Sequence, residues 1–372
     1  MKILFVNTHY YMPQSFRGLS RTLHQLCLSL KDRGHQVAVL SGFHRAGTFG
    51  LSRSLAMKFG MMTHGTKIAR DLKLGYPVWR SWQPVDDLLR VCAREQPDIL
   101  VIKGGQIVPV ARVARDAGVP LLMHVHDVEL NFHGGDFGEV ADLPCVANSQ
   151  FTASFYETRF GISSTVVYPF VSPEKYRVES TRETVTFVNP YLHKGLRVAL
   201  GVAQACPDLP FTFVGKVPAT DPDGQPLAEL IEKLPNVTVM PPQSDMRAAY
   251  GQARILLAPS QWEEAFGRVA VEAEISGIPV LGSAQGGLPE AIGDGGILLD
   301  ASAPVDAWVR ALRRLWEDKD FYAEMRDRAL AAAARPELKL DHQLAAHEAA
   351  MADAIARWTS ECPLPAAMNG TA

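Results

Sequence analysis

Short, wholly apolar runs separated by helical stretches are the feature that most constrains how this 372-residue chain can fold. Residues 3–6 form such a run, a polar loop and a helical pattern from Leu19 to Leu30 follow, and residues 37–40 form the next run. Strands that are apolar throughout are buried on both faces, and their alternation with helices is typical of a parallel sheet covered on both sides. The sequence therefore predicts an α/β fold with a doubly wound parallel sheet.

The pattern occurs twice along the chain. In the first half, further apolar runs lie at 99–102, 121–125 and 146–147. After a segment rich in proline and charge at 168–183, a second series follows at 184–188, 211–214, 237–240, 255–258, 279–281 and 297–299, and then a helical region at 303–358. We predict one domain over 1–170, a second over 171–340, and a C-terminal helix and tail over 341–372. The 47% apolar content suffices for two cores.

Overall charge and cysteine content exclude several classes of protein. The net charge of −3 provides no global basic field, so we expect no nucleic-acid partner. The five cysteines contain no C-x-x-C pair, which argues against a zinc ribbon or a disulfide framework. Only four apolar residues precede Asn7, and no run approaches the roughly 18 needed to span a bilayer. We therefore expect a cytoplasmic protein.

One segment, residues 43–82, carries a concentrated positive charge. Its only acid is Asp71, and its seven cations are Arg45, Arg53, Lys58, Lys67, Arg70, Lys73 and Arg80. Apolar residues are interleaved with them, so the segment is amphipathic. One interpretation is a flexible segment that contacts anionic lipid headgroups, which would place the protein at the inner face of the membrane, or an acidic acceptor. The other is a solvated helical face that packs on the first domain.

Residues 255–281 carry the most informative pattern, which reads as strand, loop, helix and strand. Glu264 precedes the predicted helix, Gly267 opens it and Glu272 lies within it. Loops at the carboxyl ends of strands bind ligands in α/β sheets, and free amides at a helix start attract anions. Eight helical positions span about 12 Å, more than the pair of carboxylates in a glycosidase needs, but suited to two carboxylates that bind hydroxyls at opposite ends of one ligand. The alternative is an ordinary helix start with glutamates favoured by the helix dipole.

This stretch resembles the E-x7-E signature of the retaining family-4 glycosyltransferases of GT-B fold. Glu264 and Glu272 stand at its two ends, with F-G at residues 266–267 between them. The resemblance continues in R-G-H-Q-V at 33–37, H-D at 126–127, K-G at 194–195 and G-G-L-P-E at 286–290. It implies two Rossmann-like domains that face a cleft, the first binding an acceptor and the second a nucleotide sugar. It also implies that the last helix crosses back to the first domain.

The resemblance assigns roles to individual residues. Glu264 would contact the donor sugar, His126 would lie near the transferred sugar, and these two are the predicted catalytic residues. The predicted donor-binding residues are Glu272 at the ribose, Lys194 at the diphosphate, and Gly18, Gly267, Phe266, Gly287 and Arg17. Seen alone, Lys194 reads rather as a solvated lysine that opens a helix, and Gly18 and Gly287 can be read as turn glycines.

One position departs from the family pattern. Asn189-Pro190 stands where Gly-Arg is common, so a cationic ligand of the diphosphate is missing or comes from elsewhere. Arg17, beside Gly18 in the first loop, is the compensating candidate. Amides near Gly18, Gly267 and Gly287 would add to the stabilisation of the diphosphate.

Two short patterns invite a metal interpretation. His124 and His126 lie two residues apart and therefore on one face of a strand, but Asp127 is one position too early for an H-x-H-x-D site. We expect Asp127 to be a cap or to orient a histidine. The D-P-D at 221–223 lies among turn-forming residues, which predicts a surface turn. We therefore expect no metal and no cofactor.

The predicted function is transfer of a sugar from a nucleoside diphosphate sugar to a hydroxyl acceptor, which could be a glycan, a lipid-linked intermediate or a small metabolite. The sequence shows no obvious base, which suits a front-face mechanism in which the leaving phosphate accepts the proton. Two alternatives stay open. A nucleotide-sugar epimerase or hydrolase would consume donor without an acceptor, and a non-catalytic sugar-nucleotide-binding protein, favoured by the missing arginine, would only bind it.

Overall fold

The computed structural model describes residues 1–15, 18–64, 68–222, 224 and 226–361, with the side chains at 56, 59–64 and 361 left aside. The chain divides into two compact units. Unit 1 combines Met1–Phe170 with the segment that begins at Asp341, and unit 2 is Val171–Leu340. The C-terminal segment thus belongs to the same unit as the N-terminal half of the chain.

Unit 1 is built on one sheet with helices packed against it. Its strands are β1 (Lys2–Tyr10), β2 (Gln36–Gly42), β3 (Ala69–Asp71), β4 (Val78–Ser81), β5 (Ile99–Gly104), β6 (Leu121–Val125), β7 (Cys145–Ala147) and β8 (Ser164–Val166). Its helices are α1 (Gly18–Asp32), α2 (Gly47–His64), α3 (Pro84–Glu95), α4 (Ile107–Asp116) and α5 (Gln150–Phe160), with short 3-10 helices at Leu130–Phe132 and Phe137–Val140. The strand order is β3-β4-β2-β1-β5-β6-β7-β8, parallel throughout except for β3, which pairs antiparallel with β4.

The central strands of this sheet are buried as their apolar sequences predict. Leu4, Val6, Ile102 and Met123 are fully enclosed and share one core with α3, α4 and α5. Each such side chain contributes roughly 1.5–3 kcal/mol of burial free energy. Gly34, just after α1, has a left-handed φ of +89°, which a glycine adopts without a steric cost.

The basic segment 43–82 is not one flexible amphipathic element, which corrects one of its two interpretations. It contains α2 and the strands β3 and β4, both part of the sheet. Arg80 on β4 is fully buried, and its Nε donates to Oδ2 of Asp71 at 2.7 Å while Nη2 donates to the Met12 carbonyl. This cation and the only acid of the segment are thus structural. Lys67 lies outside the described residues.

Unit 2 is built on a wholly parallel sheet. Its strands are β9 (Thr184–Val188), β10 (Phe211–Val214), β11 (Val237–Met240), β12 (Ala253–Ala258), β13 (Val280–Ser283) and β14 (Gly296–Leu299), in the order β11-β10-β9-β12-β13-β14. Its helices are α6 (Pro173–Tyr176), α7 (Leu196–Ala205), α8 (Leu227–Glu232), α9 (Arg247–Tyr250), α10 (Arg268–Glu274), α11 (Leu288–Ile292), α12 (Val305–Glu317) and α13 (Lys319–Ala333), with 3-10 helices at Leu192–Lys194 and Pro336–Leu338. The predicted fold class, two doubly wound sheets, is confirmed.

The last helix, α14 (Leu340–Glu361), packs on unit 1. Its Glu348 accepts from Arg33 Nε at 2.9 Å and lies 2.9 Å from His35 Nε2. Leu344 and Met351 are buried on the same helix. Both contacts come from the R-G-H segment that links α1 to β2.

Candidate active site

In unit 2, Lys194 and Glu264 lie in the loops that leave β9 and β12, which are neighbours in the sheet. The two loops that leave these strands contact each other: the amide of Gln261 donates to the His193 carbonyl at 2.9 Å. Gly195 has a φ of +88°, and a Cβ there would stand 1.9 Å from the Pro259 carbonyl oxygen. Only glycine allows this approach, which places the preceding Lys194 against the β12 loop.

Lys194 and Glu264 are brought together in this way. Nζ of Lys194 lies 2.5 Å from Oε1 of Glu264, and the Ser260 hydroxyl donates to the same oxygen at 3.0 Å. The backbone carbonyl of Glu264 accepts from the Gly287 amide at 2.6 Å. Among the described residues Oε2 of Glu264 has no hydrogen-bond partner. The carboxylate is therefore held by one oxygen while the other can accept a ligand hydroxyl.

Glu272 lies in α10 and is 8% exposed. The Tyr250 hydroxyl donates to its Oε2 at 3.1 Å, and Arg268 Nη2 lies 3.4 Å from its Oε1. Burial, together with the charge of Glu272, holds the pKa of Tyr250 well above its usual range, so the phenol stays a donor. The spacing of about 12 Å was calculated for a continuous helix, whereas α10 begins only at Arg268 and Glu264 lies in the loop before it.

Gly267 and Gly287 are both explained by close packing in unit 2. Gly267 caps α10 with a φ of +98°, and a Cβ there would stand 2.6 Å from Leu288 Cδ1. A Cβ on Gly287 would stand 2.6 Å from the Ala265 carbonyl oxygen. The Gly287 amide is engaged by the Glu264 carbonyl, which corrects the expectation that it faces a diphosphate. The side chain of Phe266 is 3% exposed and therefore supports the loop from inside.

Asn189-Pro190 forms the turn after β9. Asn189 has a left-handed φ of +59°, a conformation that asparagine tolerates better than most residues. Pro190 is buried, and Gly215 at the end of β10 packs on it, since a Cβ there would stand 3.0 Å from Pro190 Cδ. Arg17, the compensating cation proposed for this departure, lies outside the described residues.

In unit 1, Gly18 is the first residue of α1 and is exposed. A Cβ at this position would meet no atom within 4 Å. Packing within the described residues thus gives no reason for a glycine here, in contrast to Gly195, Gly267 and Gly287.

His126 follows β6, and its carbonyl accepts from Asn148 Nδ2 at 3.1 Å. The His124 and His126 rings lie on one face as predicted, with centroids 4.0 Å apart. Nζ of Lys103, at the end of β5, lies 2.8 Å from Nδ1 of His124. Burial, and then neighbouring positive charge, holds the pKa of both imidazoles well below its usual range, and burial lowers the pKa of Lys103 to about 7. Sequence reasoning missed Lys103, although a lysine that ends an apolar strand is a visible signal.

Asp127 orients a histidine, but not His126. Its Oδ1 lies 3.0 Å from Nε2 of His133, whose Nδ1 lies 3.2 Å from the Gly105 carbonyl oxygen. His133 is buried, and sequence reasoning missed it because it stands in an unpatterned loop. The described ranges hold no group of three or more His, Cys, Asp or Glu side chains arranged to bind a metal ion. The Gly224 amide donates to the Asp221 carbonyl across the predicted turn, but the side chain of Asp221 is buried against Arg197 rather than exposed.

None of the helices in the described part of the chain is both long and apolar enough to cross a bilayer. The two parallel sheets form an α/β scaffold, and comparison with known families identifies its class. Residues 17–160 match the family described as "Glycosyl transferase 4-like domain", and residues 171–332 match "Glycosyl transferases group 1". The chain belongs to these family-4, group 1 glycosyltransferases.

Solved structures share the fold of the whole chain. The structure of Anabaena HepE in complex with UDP and glucose has a TM-score of 0.72 and 19% sequence identity, covering 95% of this chain and 100% of that one. WaaG, described as a glycosyltransferase involved in lipopolysaccharide biosynthesis, has a TM-score of 0.62 at 16% identity, covering 94% and 98%. The fold is therefore GT-B, as predicted.

Curated relatives share parts of the sequence. A D-inositol 3-phosphate glycosyltransferase from Mycolicibacterium paratuberculosis is 34% identical over 218 residues, 53% of this chain and 48% of that protein. The protein of the same description from Corynebacterium kroppenstedtii is 44% identical over 96 residues, 25% of this chain and 21% of that protein. The chain thus spans half or less of the length of these relatives.

Proposed function

We propose that this protein transfers a sugar from a nucleoside diphosphate sugar to a hydroxyl acceptor, with retention at the anomeric carbon and without a metal. The observation that carries the proposal is the contact between Lys194 and Glu264 at the carboxyl ends of β9 and β12. This contact holds a cation beside a carboxylate that has one oxygen available to accept a hydrogen bond. The cation could bind a phosphate, and the carboxylate oxygen could bind a sugar hydroxyl.

The demanding step of such a reaction is the development of negative charge on the departing diphosphate. Lys194 would stabilise that charge, and backbone amides at the start of α10 would add to it. Oε2 of Glu264 would accept a sugar hydroxyl, while Glu272 would bind the ribose. No other carboxylate in the described residues contacts Glu264, and in our proposal the leaving phosphate accepts the acceptor's proton.

We assign acceptor binding to unit 1 and donor binding to unit 2. His126, at the carboxyl end of β6, would line the reacting face. The HepE structures hold UDP with glucose and UDP-glucose, which favours UDP-sugars as the first donors to test. The curated relatives are described as D-inositol 3-phosphate glycosyltransferases, so a cyclitol phosphate is the first small acceptor to test.

We also propose a peripheral contact with anionic membrane, through a smaller surface than the whole segment 43–82. On α2, Leu51 and Leu55 are 51% and 67% exposed, one turn apart, and the exposed cation Lys58 lies on the same helix. We propose α2, rather than all of 43–82, as the surface for anionic lipid. Flotation with anionic and neutral vesicles tests it: equal recovery with both, or unchanged recovery after Leu51→Ser and Leu55→Ser, contradicts it.

The experiment that tests the proposed function is incubation of the full chain with a panel of nucleotide sugars, with and without cell extract or a cyclitol phosphate. We expect donor consumption and a glycosylated product only when an acceptor is present. Consumption without acceptor would indicate the epimerase or hydrolase alternative. Donor binding with no turnover under any condition would indicate a non-catalytic binding protein.

A further inference from the structure

A buried cluster of basic side chains lies at the carboxyl ends of β5 and β6 in unit 1. Lys103 is fully buried, and His124 is 3% exposed. His347, on α14, completes the cluster with a ring centroid 5.0 Å from that of His124. In the described residues no carboxylate contacts Lys103, so burial of its amino group is compensated chiefly by His124.

The contact between Lys103 and His124 favours one tautomer of the His124 ring. An ammonium has donors only, and the 2.8 Å contact joins Nζ of Lys103 to Nδ1 of His124. While Lys103 is protonated, Nδ1 is therefore the acceptor and the proton of the neutral ring lies on Nε2. The His126 ring lies 4.0 Å from the His124 ring with an interplanar angle of 33°, so the plane of one ring limits that of the other.

We infer that Lys103 is a positioning residue for the transfer reaction: its hydrogen bond to Nδ1 of His124 fixes the tautomer and plane of that ring, and through ring contact the orientation of His126. This inference rests on the proposed function, in which His126 lines the reacting face. Lys103 itself contacts no substrate.

The positive charge of Lys103 also favours the neutral form of the His124 and His126 rings. The groups that face it are Cys27 on α1, His124 on β6, His126 just after β6 and His347 on α14. Burial raises the pKa of the Cys27 thiol and lowers the pKa of His347 to about 3, so neither compensates the charge of Lys103 at neutral pH. Burial first, and then the positive charge of a protonated Lys103, keeps both rings of the pair neutral.

Two-dimensional long-range 1H–15N spectra of the full chain labelled at histidine test this inference without any need for activity. In the wild type we expect His124 to be the Nε2–H tautomer. We also expect the 15N chemical shift of its Nδ1 to change with pH, because the hydrogen bond from Lys103 weakens as Lys103 loses its proton. His124 found as the Nδ1–H tautomer or as imidazolium at neutral pH would overturn the inference, even if Lys103→Met failed to fold.

Kinetics of Lys103→Met provide the second arm, with the exposed Lys319→Met as matched control. We expect about a tenfold or greater fall in kcat, as for other partners that orient a working histidine, with the KM for donor unchanged. We also expect the protonation midpoints of His124 and His126 to move to higher pH. If Lys103→Met has the kcat and the histidine shifts of the wild type, the inference is contradicted. If the wild type shows the expected histidine tautomer but transfers no sugar, only the proposed function is contradicted.

Discussion

Nζ of Lys194 lies 2.5 Å from Oε1 of Glu264, although 70 positions separate the two residues in sequence. Adjacent parallel strands bring their loops together, and Gly195 allows the closest approach. Each side chain thus limits the conformations of the other. A ligand that binds both would enter a site whose charges are already placed.

Replacement of Glu264 by Gln should lower kcat by about 10²–10³, because the amide removes the charge that holds Lys194 and weakens binding of the sugar hydroxyl. Nucleotide diphosphate affinity should stay within a fewfold of wild type, measured by calorimetry. The exposed neighbour Glu263→Gln is the matched control and should keep full turnover. A Glu264→Gln enzyme as fast as the control would show that Glu264 has no part in transfer.

Replacement of Glu272 by Gln should weaken donor binding about tenfold, the usual loss when a charged hydrogen-bond acceptor becomes neutral. The change also removes the charge that raises the pKa of Tyr250. Tyr250→Phe separates the two effects, since it deletes the internal donor but keeps the carboxylate, and we expect it to bind donor nearly as the wild type does. Equal donor affinity of Glu272→Gln and wild type would remove Glu272 from the ribose site.

Glu274, two positions after Glu272, is a buried acid whose two carboxyl oxygens have no hydrogen-bond partner among the described residues. Burial holds its pKa well above its usual value, while the charge of Arg335 opposes that shift. The folded protein thus keeps a proton that the unfolded chain releases above about pH 4.5. The free energy of unfolding must therefore fall as pH rises above that value, by up to about 1.4 kcal/mol per pH unit from this group.

Denaturant unfolding of Glu274→Gln between pH 4 and 8 checks this linkage. The mutant should gain stability relative to wild type as pH rises, since the amide does not titrate. Glu290→Gln, an acid of unit 2 that is not fully buried, controls for general charge effects. A difference between wild type and Glu274→Gln that is flat with pH would mean that Glu274 ionises normally in the folded state.

The Arg80–Asp71 pair in unit 1 should be costly to break from either side. Both side chains are buried, so Arg80→Met leaves an unpaired carboxylate and should lower the free energy of unfolding by about 3–5 kcal/mol. The double variant Arg80→Met, Asp71→Asn should recover part of that loss in urea titrations. Additive losses would mean that the two groups do not interact. Arg70→Met, which removes a half-exposed cation from β3, serves as control.

The sequence predicted the strands that are apolar along their whole length, because burial on both faces leaves a visible run. It missed β3 and β8, whose three-residue sequences ARD and STV carry no such run. β4 was missed because the basic side chain of Arg80, in fact buried, suggested a surface segment.

Site residues within one motif were predictable and tertiary partners were not. Glu264 and Glu272 belong to a spaced signature, so they could be named from the sequence. The partner of Asp127 is His133 rather than His126, and His347 reaches His124 from a helix more than 200 positions away. Nothing local in the sequence encodes such contacts. The same holds for the Gly287 amide, whose acceptor is fixed only by loop packing.

The measurement that tests the central claim most directly is NMR of the product formed from a 13C-labelled nucleotide sugar by wild type and by Glu264→Gln. Our account predicts that wild type forms an acceptor-bound sugar with the anomeric configuration of the donor, only when acceptor is present, and that the variant forms it at least about a hundredfold more slowly. An inverted product, labelled free sugar without acceptor, or equal rates for the two proteins would contradict the account.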